Sequence, residues 1–288
     1  MVRELVAADT AEACKLLRER PLHNVFLDHV ISSGILGRAP GFYGFAPRGR
    51  LEAILMIGPL GGTILEARAE DAYEPLAECA AAARPRPRHI VGCEEVTRPF
   101  FRAYSRRAPE VIWERREHYY VISARDRDGQ DPRSEAEIEQ ATQRDFEATL
   151  ANSARQHRED LNDDRYGADP EGFRRRHLRD LQNGRWWVLR ERGEVVFQVH
   201  VGAENRQLVQ LGGVITVPEA RSRGLATRGM QAIVEHLLAR RPAVGLFCNV
   251  ANRTACGVYE RVGFQRAFDY RSWLLDEPLE PEREATYA

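Results

Sequence analysis

An apolar strand ends and a helix begins within Val217-Pro218-Glu219-Ala220-Arg221-Ser222-Arg223-Gly224-Leu225-Ala226-Thr227. Pro218 cannot donate to a sheet, so the strand stops there, and Gly224 lets the backbone come close to a ligand. The first N–H groups of the helix lack intrahelical partners, and the helix dipole adds partial positive charge. The pattern Arg-x-x-Gly-x-Ala therefore predicts a diphosphate site at the helix start. Standing alone, it would fit an ordinary strand-to-helix turn equally well.

The strand before this turn, 208–217, contains Gly212-Gly213. Glycine inside a strand usually marks a β-bulge or a close backbone approach. A bulge here would separate neighbouring parallel strands and leave a slot for a linear ligand arm. The alternative is local relief of the twist of the sheet.

A second pattern is Asn252-x-x-Ala255-x-x-x-Tyr259-x-x-x-Gly263-Phe264. Asn252 fits a helix N-cap, and Gly263 fits the residue after the helix C-terminus. Tyr259 shares a face with Ala255, and its phenol stays protonated at neutral pH. It could therefore donate a proton to a departing thiolate, although a tyrosine that packs the helix on the sheet is the alternative.

The composition is that of a soluble globular protein, with 43% hydrophobic and 30% charged residues. A net charge of −1 gives no basic surface for nucleic acid. Lys15 is the only lysine, so phosphate contacts must come from arginine or from the backbone. Five scattered cysteines show neither metal-ligand nor disulfide spacing, and no apolar run is long enough for a membrane. We expect a reduced, cytoplasmic protein without a metal.

Length and linker composition predict two domains, because 288 residues exceed the usual size of one. The most polar connector is 125–135, which predicts domains 1–125 and 136–288 joined by a linker at 126–135. Each half alternates strand-like and helix-like segments, which predicts an α/β fold with a mixed sheet in both. In the first half, strands are predicted at 2–7, 41–46, 51–58, 61–67, 89–92 and 111–123, and helices at 10–18, 23–35, 70–83 and 97–106. In the second half, strands are predicted at 185–190, 194–201, 208–217, 244–250 and 264–275, and helices at 143–156, 170–182, 225–241 and 252–262.

The turn at 217–227 and the pattern at 252–264 together resemble the GNAT superfamily of N-acetyltransferases, over about residues 140–275. The whole chain resembles a bacterial tandem type, in which a degenerate GNAT-like N-terminal half precedes the half that carries the motifs. This resemblance implies transfer of an acetyl group from acetyl-CoA to an amine acceptor, either a small molecule or a protein, by direct attack. Ile215 and Val217 would then bind the pantetheine arm, Asn252 would contact the cofactor, and Tyr259 would protonate the thiolate of coenzyme A. The pyrophosphate would lie on the helix start formed by Arg221, Arg223, Gly224, Leu225, Ala226 and Thr227.

Two departures from the family pattern affect the prediction. Many GNAT enzymes carry a carboxylate base on the strand before the phosphate loop, but residues 208–216 contain no Asp or Glu. His200 on the preceding strand or Glu204 at the hairpin could replace it, and the alternatives are a half-buried polar residue of the strand and a solvated residue of the turn. An acyl-CoA-binding sensor without turnover, and an enzyme for another acyl group, therefore remain open. The acid-rich stretch 158–164 could attract a cationic amine or could simply be a solvated loop.

The second departure lies in the first half. Its corresponding segment, 61–70, lacks the Arg-x-x-Gly-x-Ala pattern and places acids where phosphates would lie. We expect this half to bind no coenzyme A, and instead to support the fold, shape the acceptor site or form a homodimer.

Overall fold

The computed structural model describes residues 1–127, 137–162 and 164–277. The described residues form two compact units, one of 1–119 with 268–277, the other of those within 120–267. The predicted linker at 126–135 lies outside the described residues except for its first two, which end a 3-10 turn at Ala124–Arg127. In the described ranges, no helix combines the length and the apolar character needed to cross a membrane.

The first unit is a mixed sheet covered by helices on both faces. Its strands are β1 (Val2–Glu4), β2 (Phe42–Phe45), β3 (Ala53–Ile57), β4 (Gly62–Ala67), β5 (His89–Cys93), β6 (Val111–Ser123, up to residue 119) and, late in the chain, β12 (Gln265–Leu275, from residue 268). Its helices are α1 (Thr10–Arg18), α2 (Val25–Ser32), α3 (Tyr73–Ala82) and α4 (Glu94–Tyr104). The pair β4–β5 is parallel, whereas β1–β2, β2–β3, β3–β4 and β12–β5 are antiparallel.

Strand β3 shows why helices cover both faces of this sheet, since all five of its residues are buried. Ala53, Leu55 and Ile57 point to the core shared with α3 and α4. Ile54 and Met56 point to the core shared with α1 and α2. A continuous apolar run of this kind is typical of a strand buried on both sides.

The second unit is also a mixed sheet between helices. Its strands are β7 (Ile138–Gln140), β8 (Trp186–Glu191), β9 (Glu194–Glu204), β10 (Leu208–Thr216) and β11 (Ala243–Asn249), in that spatial order. Its helices are α5 (Phe146–Gln156), α6 (Arg165–Ala168), α7 (Pro170–Gln182), α8 (Leu225–Leu238) and α9 (Arg253–Val262). Side chains of α8 and α9 pack in one core with β9, and α5 and α7 supply residues to another. The prediction of an α/β fold with a mixed sheet is confirmed.

The units differ from the predicted domains at their C-terminal side. The strand predicted at 264–275 forms as β12, but from Phe268 onward it belongs to the first unit. It pairs with β5 from Tyr270 opposite Cys93 to Leu274 opposite His89. Trp273 and Leu275 are buried in the core of that unit, which gives the physical reason for the return of the chain.

Helix α8 lies close to β9 because it carries a glycine at the contact. A Cβ atom on Gly229 would come within 2.5 Å of the Phe197 ring, which is fully buried. Gly229 therefore allows the close packing of the sheet with the helix that carries the predicted phosphate site, because no side chain fits at this position.

We expect Gly229→Ala to lower the free energy of unfolding by about 1–3 kcal/mol, because the added methyl overpacks the core. Gly257→Ala is the matched control, since a Cβ there meets only the guanidinium of Arg261 at 3.2 Å. In that helix the alanine should be neutral or stabilising. Urea denaturation followed by circular dichroism measures both, and equal effects of the two substitutions would contradict the packing argument.

A buried ion pair joins the start of α5 to β8. The Arg190 guanidinium contacts both carboxylate oxygens of Asp145, at 2.5 and 2.8 Å, and Asp145 also accepts from the N–H of Thr142 at 2.7 Å. Burial acts to raise the pKa of Asp145, but Arg190 and Thr142 outweigh it and lower that pKa to about 2. This pair fixes the helix that precedes the acid-rich stretch.

Asp145→Asn should therefore destabilise the protein by about 2–3 kcal/mol at pH 7. The pKa of Asp145 is lower in the folded than in the unfolded state. Its ionised carboxylate therefore adds its full share to the free energy of unfolding above about pH 4, and this share is lost as the pH falls towards 2. The difference between wild type and variant in urea denaturation should shrink from pH 7 to pH 3. Glu147→Gln in the same helix, where the partner Arg174 is exposed, should change stability little at either pH.

Candidate functional site

The turn between β10 and α8 carries backbone N–H groups that have no acceptor within the helix. Gly224 has a φ of +75°, and the first hydrogen bond of the helix runs from the N–H of Arg228 to the Gly224 carbonyl at 3.1 Å. The N–H groups of Leu225, Ala226 and Thr227 therefore precede the helical ladder. A Cβ on Gly224 would meet nothing within 4 Å, and the first turn of α8 contains no acid. This helix start can accept an anion.

The arginine side chains of the same turn have carboxylate partners. Arg221 contacts Glu159 at 2.7 Å and also donates to the Thr216 carbonyl at 3.1 Å. Arg223 contacts Glu191 at 2.7 Å. All four charged groups are partly exposed, and such surface pairs contribute little to stability. Either arginine could exchange its partner for a phosphate at small cost, while the backbone donors need no rearrangement.

Strands β10 and β11 run in parallel and then separate. They pair from Leu208 opposite Ala243 to Gln210 opposite Gly245. Beyond that register both strands continue, to Thr216 and Asn249, without further pairing among the described residues. An extended ligand can lie between two such edges, because their backbone groups are not used by each other.

Two irregularities in the pairing of β10 with β9 lie where β10 separates from β11, one between Gln210 and Leu211 and one, a β-bulge, at the two glycines. Gly212 lies opposite His200 and Ile215 opposite Gln198, so β10 has one residue more than β9 over this stretch. Gly213 has a φ of +58°, which favours glycine. The predicted bulge is confirmed, and a bulge bends the strand that carries it.

Residues at the end of β10 line the separated strands. Ile215 is buried, and the buried Thr216 hydroxyl has no hydrogen-bond partner among the described residues. Val217, which is also predicted to bind the arm, donates its N–H to the Val196 carbonyl at 3.1 Å, and its own carbonyl accepts from the N–H of Ala220 at 2.9 Å. Its backbone is therefore already engaged, although a carbonyl can accept a second hydrogen bond.

Helix α9 has the predicted ends. The Asn252 side chain accepts from the N–H of Ala255 at 3.1 Å, and Gly263 follows the helix with a φ of +102°. Asn252 thus acts as the N-cap. The helix start lies directly after β11, at the end of the separated strands.

Tyr259 is buried on α9, with 7% of its surface exposed. Its ring centroid lies 6.0 Å from that of Tyr120 and 6.1 Å from that of Phe264. Burial raises the pKa of Tyr259 well above its ordinary value, and Cys248, Asp160 and Cys256 raise it further. Within the described residues its hydroxyl has no hydrogen-bond partner. The phenol is protonated at neutral pH and keeps a free donor.

His200 lies opposite Gly212 of the bulge and close to the carboxylate of Asp180. Its Nε2 is 3.5 Å from Asp180 on α7, and its ring centroid is 4.4 Å from Trp186. Burial acts to raise the pKa of Asp180, but His200, Arg185 and Arg179 together lower it. Asp180 is therefore charged and lies within ion-pair distance of the imidazole, whose Nε2 makes no hydrogen bond among the described residues. Nothing in the sequence pattern of 170–182 distinguished Asp180.

The other predicted base, Glu204, lies away from the bulge. It is opposite Val209 at the start of β10 and contacts Arg241 at 2.7 Å. These contacts place it as an ion-pair partner at the far end of the strand.

The acid-rich stretch 158–164 contributes one residue to the surroundings of Tyr259. Residues His157–Leu161 form a π-helical turn after α5, an uncommon conformation that is frequent at functional sites. Asp160 accepts from Gln156 at 2.8 Å, and its charge adds to the raised pKa of Tyr259. Asp163 of this stretch lies outside the described residues.

The corresponding segment of the first unit has different chemistry. After β4 comes a 3-10 turn at Glu70–Ala72 with two acids, and the first turn of α3 adds Glu74. Glu66 on β4 is buried, lies 3.4 Å from Arg68, and has a pKa raised by burial. A phosphate would meet negative charge at this helix start.

Residues with metal-ligand chemistry also meet in the first unit. The ligand atoms of His23, Cys93 and Glu95 all lie within 4.8 Å of one another. Glu95 is ion-paired with Arg20, so a cation here would have to displace that arginine.

Residues 154–264 match the model of the acetyltransferase (GNAT) family. No curated protein matches the chain. Among solved structures, a GNAT-family acetyltransferase from Colwellia psychrerythraea is 10% identical, with coverage of 96% of this chain and 100% of that one and a TM-score of 0.60. A GCN5-related N-acetyltransferase from Sphaerobacter thermophilus is 15% identical, with coverage of 99% and 98% and a TM-score of 0.59.

A third solved structure is a tandem GNAT protein from the clavulanic acid biosynthesis pathway. It is 14% identical, with coverage of 95% of this chain and 97% of that chain and a TM-score of 0.58. At these identities the structures show a shared fold, which extends over both halves of the chain.

Proposed function

We propose that this protein transfers an acetyl group from acetyl-CoA to an amine, because residues 154–264 match the model of the acetyltransferase (GNAT) family. The observation that carries the proposal is the separation of β10 and β11 after Gln210 and Gly245, next to a helix start with unpaired N–H groups. A linear arm that ends in a diphosphate fits these two features together.

The residues present fit such a donor. The backbone N–H groups of Gly224 to Thr227 would bind the pyrophosphate, and Arg221 and Arg223 could add charge after leaving their carboxylates. Ile215 would hold the arm through its backbone, and the unpartnered Thr216 hydroxyl offers a further polar contact. Asn252 caps the helix that follows and would contact the cofactor from there.

Tyr259 is the proposed proton donor for the departing sulfur. Its raised pKa keeps the proton on the oxygen at neutral pH. A high pKa also makes the phenol a weak acid, but a thiolate in the same buried place is a stronger base than in water. The proton therefore moves between two groups whose pKa values burial raises together.

His200 is the proposed base for the amine. It lies beside the bulged strand, and Asp180 at 3.5 Å would stabilise the imidazolium that forms when the amine loses its proton. Asp160 would attract a cationic acceptor towards Tyr259, since its charge already influences that residue. No covalent enzyme intermediate is needed.

The second candidate function is an acyl-CoA-binding sensor without turnover. The absence of a carboxylate from β10, together with a His200 ring packed on Trp186, favours it. An unpartnered hydroxyl on Tyr259 favours the enzyme, because a tyrosine retained only for packing gains nothing from that group.

Gly224→Asp should weaken acetyl-CoA binding by about tenfold or more, because a carboxylate would lie where the pyrophosphate binds. Gly49→Asp is the matched control: its φ is +77°, and a Cβ there also meets nothing within 4 Å. Isothermal titration calorimetry with acetyl-CoA measures both. Unchanged affinity of Gly224→Asp would overturn the assignment of the cofactor site.

Tyr259→Phe should lower kcat by about 10²–10⁴-fold while leaving the Kd for acetyl-CoA unchanged, as expected for loss of a general acid. Tyr120→Phe is the control, since its hydroxyl donates to Glu260 in the same core. A product assay with a panel of amines provides the rates. Transfer to none of the amines by wild type, with acetyl-CoA still bound, would instead support the sensor.

A further inference from the structure

Two cysteine side chains meet beside Tyr259. Neither Cys248 on β11 nor Cys256 on α9 is in a disulfide, and their sulfur atoms are 3.9 Å apart. Both are buried, with 8% and 7% of their surfaces exposed. The Asn249 carbonyl lies 3.6 Å from one sulfur and 3.7 Å from the other. The remaining three cysteines all lie in the first unit.

The position of this pair relates it to the proposed cofactor site. Cys248 lies on β11 beyond Gly245, the last residue paired with β10, and therefore on the separated stretch. Cys256 precedes Tyr259 by three residues on α9, so the two share a helix face. Both thiols contribute to the raised pKa of Tyr259. The pair thus lies where the proposed function places the sulfur of the donor.

We propose that Cys248 and Cys256 form a thiol–disulfide exchange site for disulfides that carry the pantetheine arm of coenzyme A. This inference rests on the proposed function, because the same separated strands would admit the arm. A small-molecule disulfide without that arm has no comparable route to two buried sulfurs.

The exchange proceeds in two balanced steps. One cysteine thiol loses its proton and attacks a sulfur of the disulfide RSSR, forming a protein–SR bond, and the first RS⁻ leaves with that proton as RSH. The second cysteine then loses its proton and attacks the sulfur of the first, and the second RSH leaves. Two electrons and two protons pass from the protein to RSSR, and the products are the Cys248–Cys256 disulfide and two thiols.

The geometry allows this bond to form with a small movement. A disulfide holds its sulfurs about 2 Å apart, so the two side chains must approach by about 2 Å from their present separation. Rotation about side-chain bonds supplies movements of that size. The bond would tie β11 to α9 next to Tyr259 and should therefore inhibit acetyl transfer reversibly.

The test compares three disulfides on the reduced full-length protein. Coenzyme A disulfide, pantethine and glutathione disulfide are supplied at equal concentration, and intact mass with peptide mapping follows the Cys248–Cys256 link. We expect coenzyme A disulfide to react about tenfold or more faster than glutathione disulfide, because binding raises its local concentration. Cys256→Ser should give a stable mixed disulfide on Cys248, whereas Cys79→Ser should behave as wild type.

Gly224→Asp separates this inference from the proposed function. In that variant coenzyme A disulfide should react no faster than glutathione disulfide. Pantethine, which has no diphosphate, should react at the same rate as with wild type. Absence of a Cys248–Cys256 link with every disulfide, or equal rates for coenzyme A disulfide and glutathione disulfide in wild type, would overturn the inference. Failure of the proposed function would be seen in a separate measurement, because the reduced protein would then not bind acetyl-CoA.

Discussion

The end of the pairing between β10 and β11 is the constraint on which the candidate site depends. The two parallel strands pair over residues 208–210 and 243–245, and just beyond that stretch β10 changes its register against β9, with a β-bulge at Gly212-Gly213. The groups proposed to bind the donor follow these two strands along the chain: the helix start at Gly224 comes after β10, and the N-cap of α9 and Tyr259 come after β11. Had the two strands stayed paired to their ends, their backbone groups would have satisfied each other.

The positive groups near these strands are of two kinds, arginine side chains and backbone N–H groups. Arg221 and Arg223 contact carboxylates, whereas the N–H groups at the start of α8 have no acceptor in the helix. An anion can therefore bind to the backbone N–H groups without any rearrangement of the protein. The arginine side chains would first have to leave their carboxylate partners. Negative charge lies near both proposed proton-transfer residues, from Asp180 beside His200 and from Asp160 near Tyr259.

The two units share an order of elements but not a chemistry. In both, a strand leads through a 3-10 turn into a helix beside a parallel neighbour. In the second unit the 3-10 turn carries one acid, Glu219, and the first turn of the helix none, whereas in the first unit the 3-10 turn carries Glu70 and Asp71 and the helix adds Glu74. The same backbone plan thus favours an anion in one unit and disfavours it in the other. That contrast follows from residue identity and was predicted.

Sequence by itself determined the features whose cause lies within a few residues. The bulge, the left-handed Gly224, the Asn252 cap and the Gly263 terminus each follow from the conformational freedom of glycine or from a local hydrogen bond. Periodicity also predicted most helices and strands, since burial repeats along each element. Only the tertiary structure decided which distant residues meet: Asp180 with His200, Asp160 near Tyr259, Cys248 with Cys256, and the return of β12 to the first unit. These contacts depend on sheet register and on how each helix crosses its sheet, and no short window of sequence contains that information.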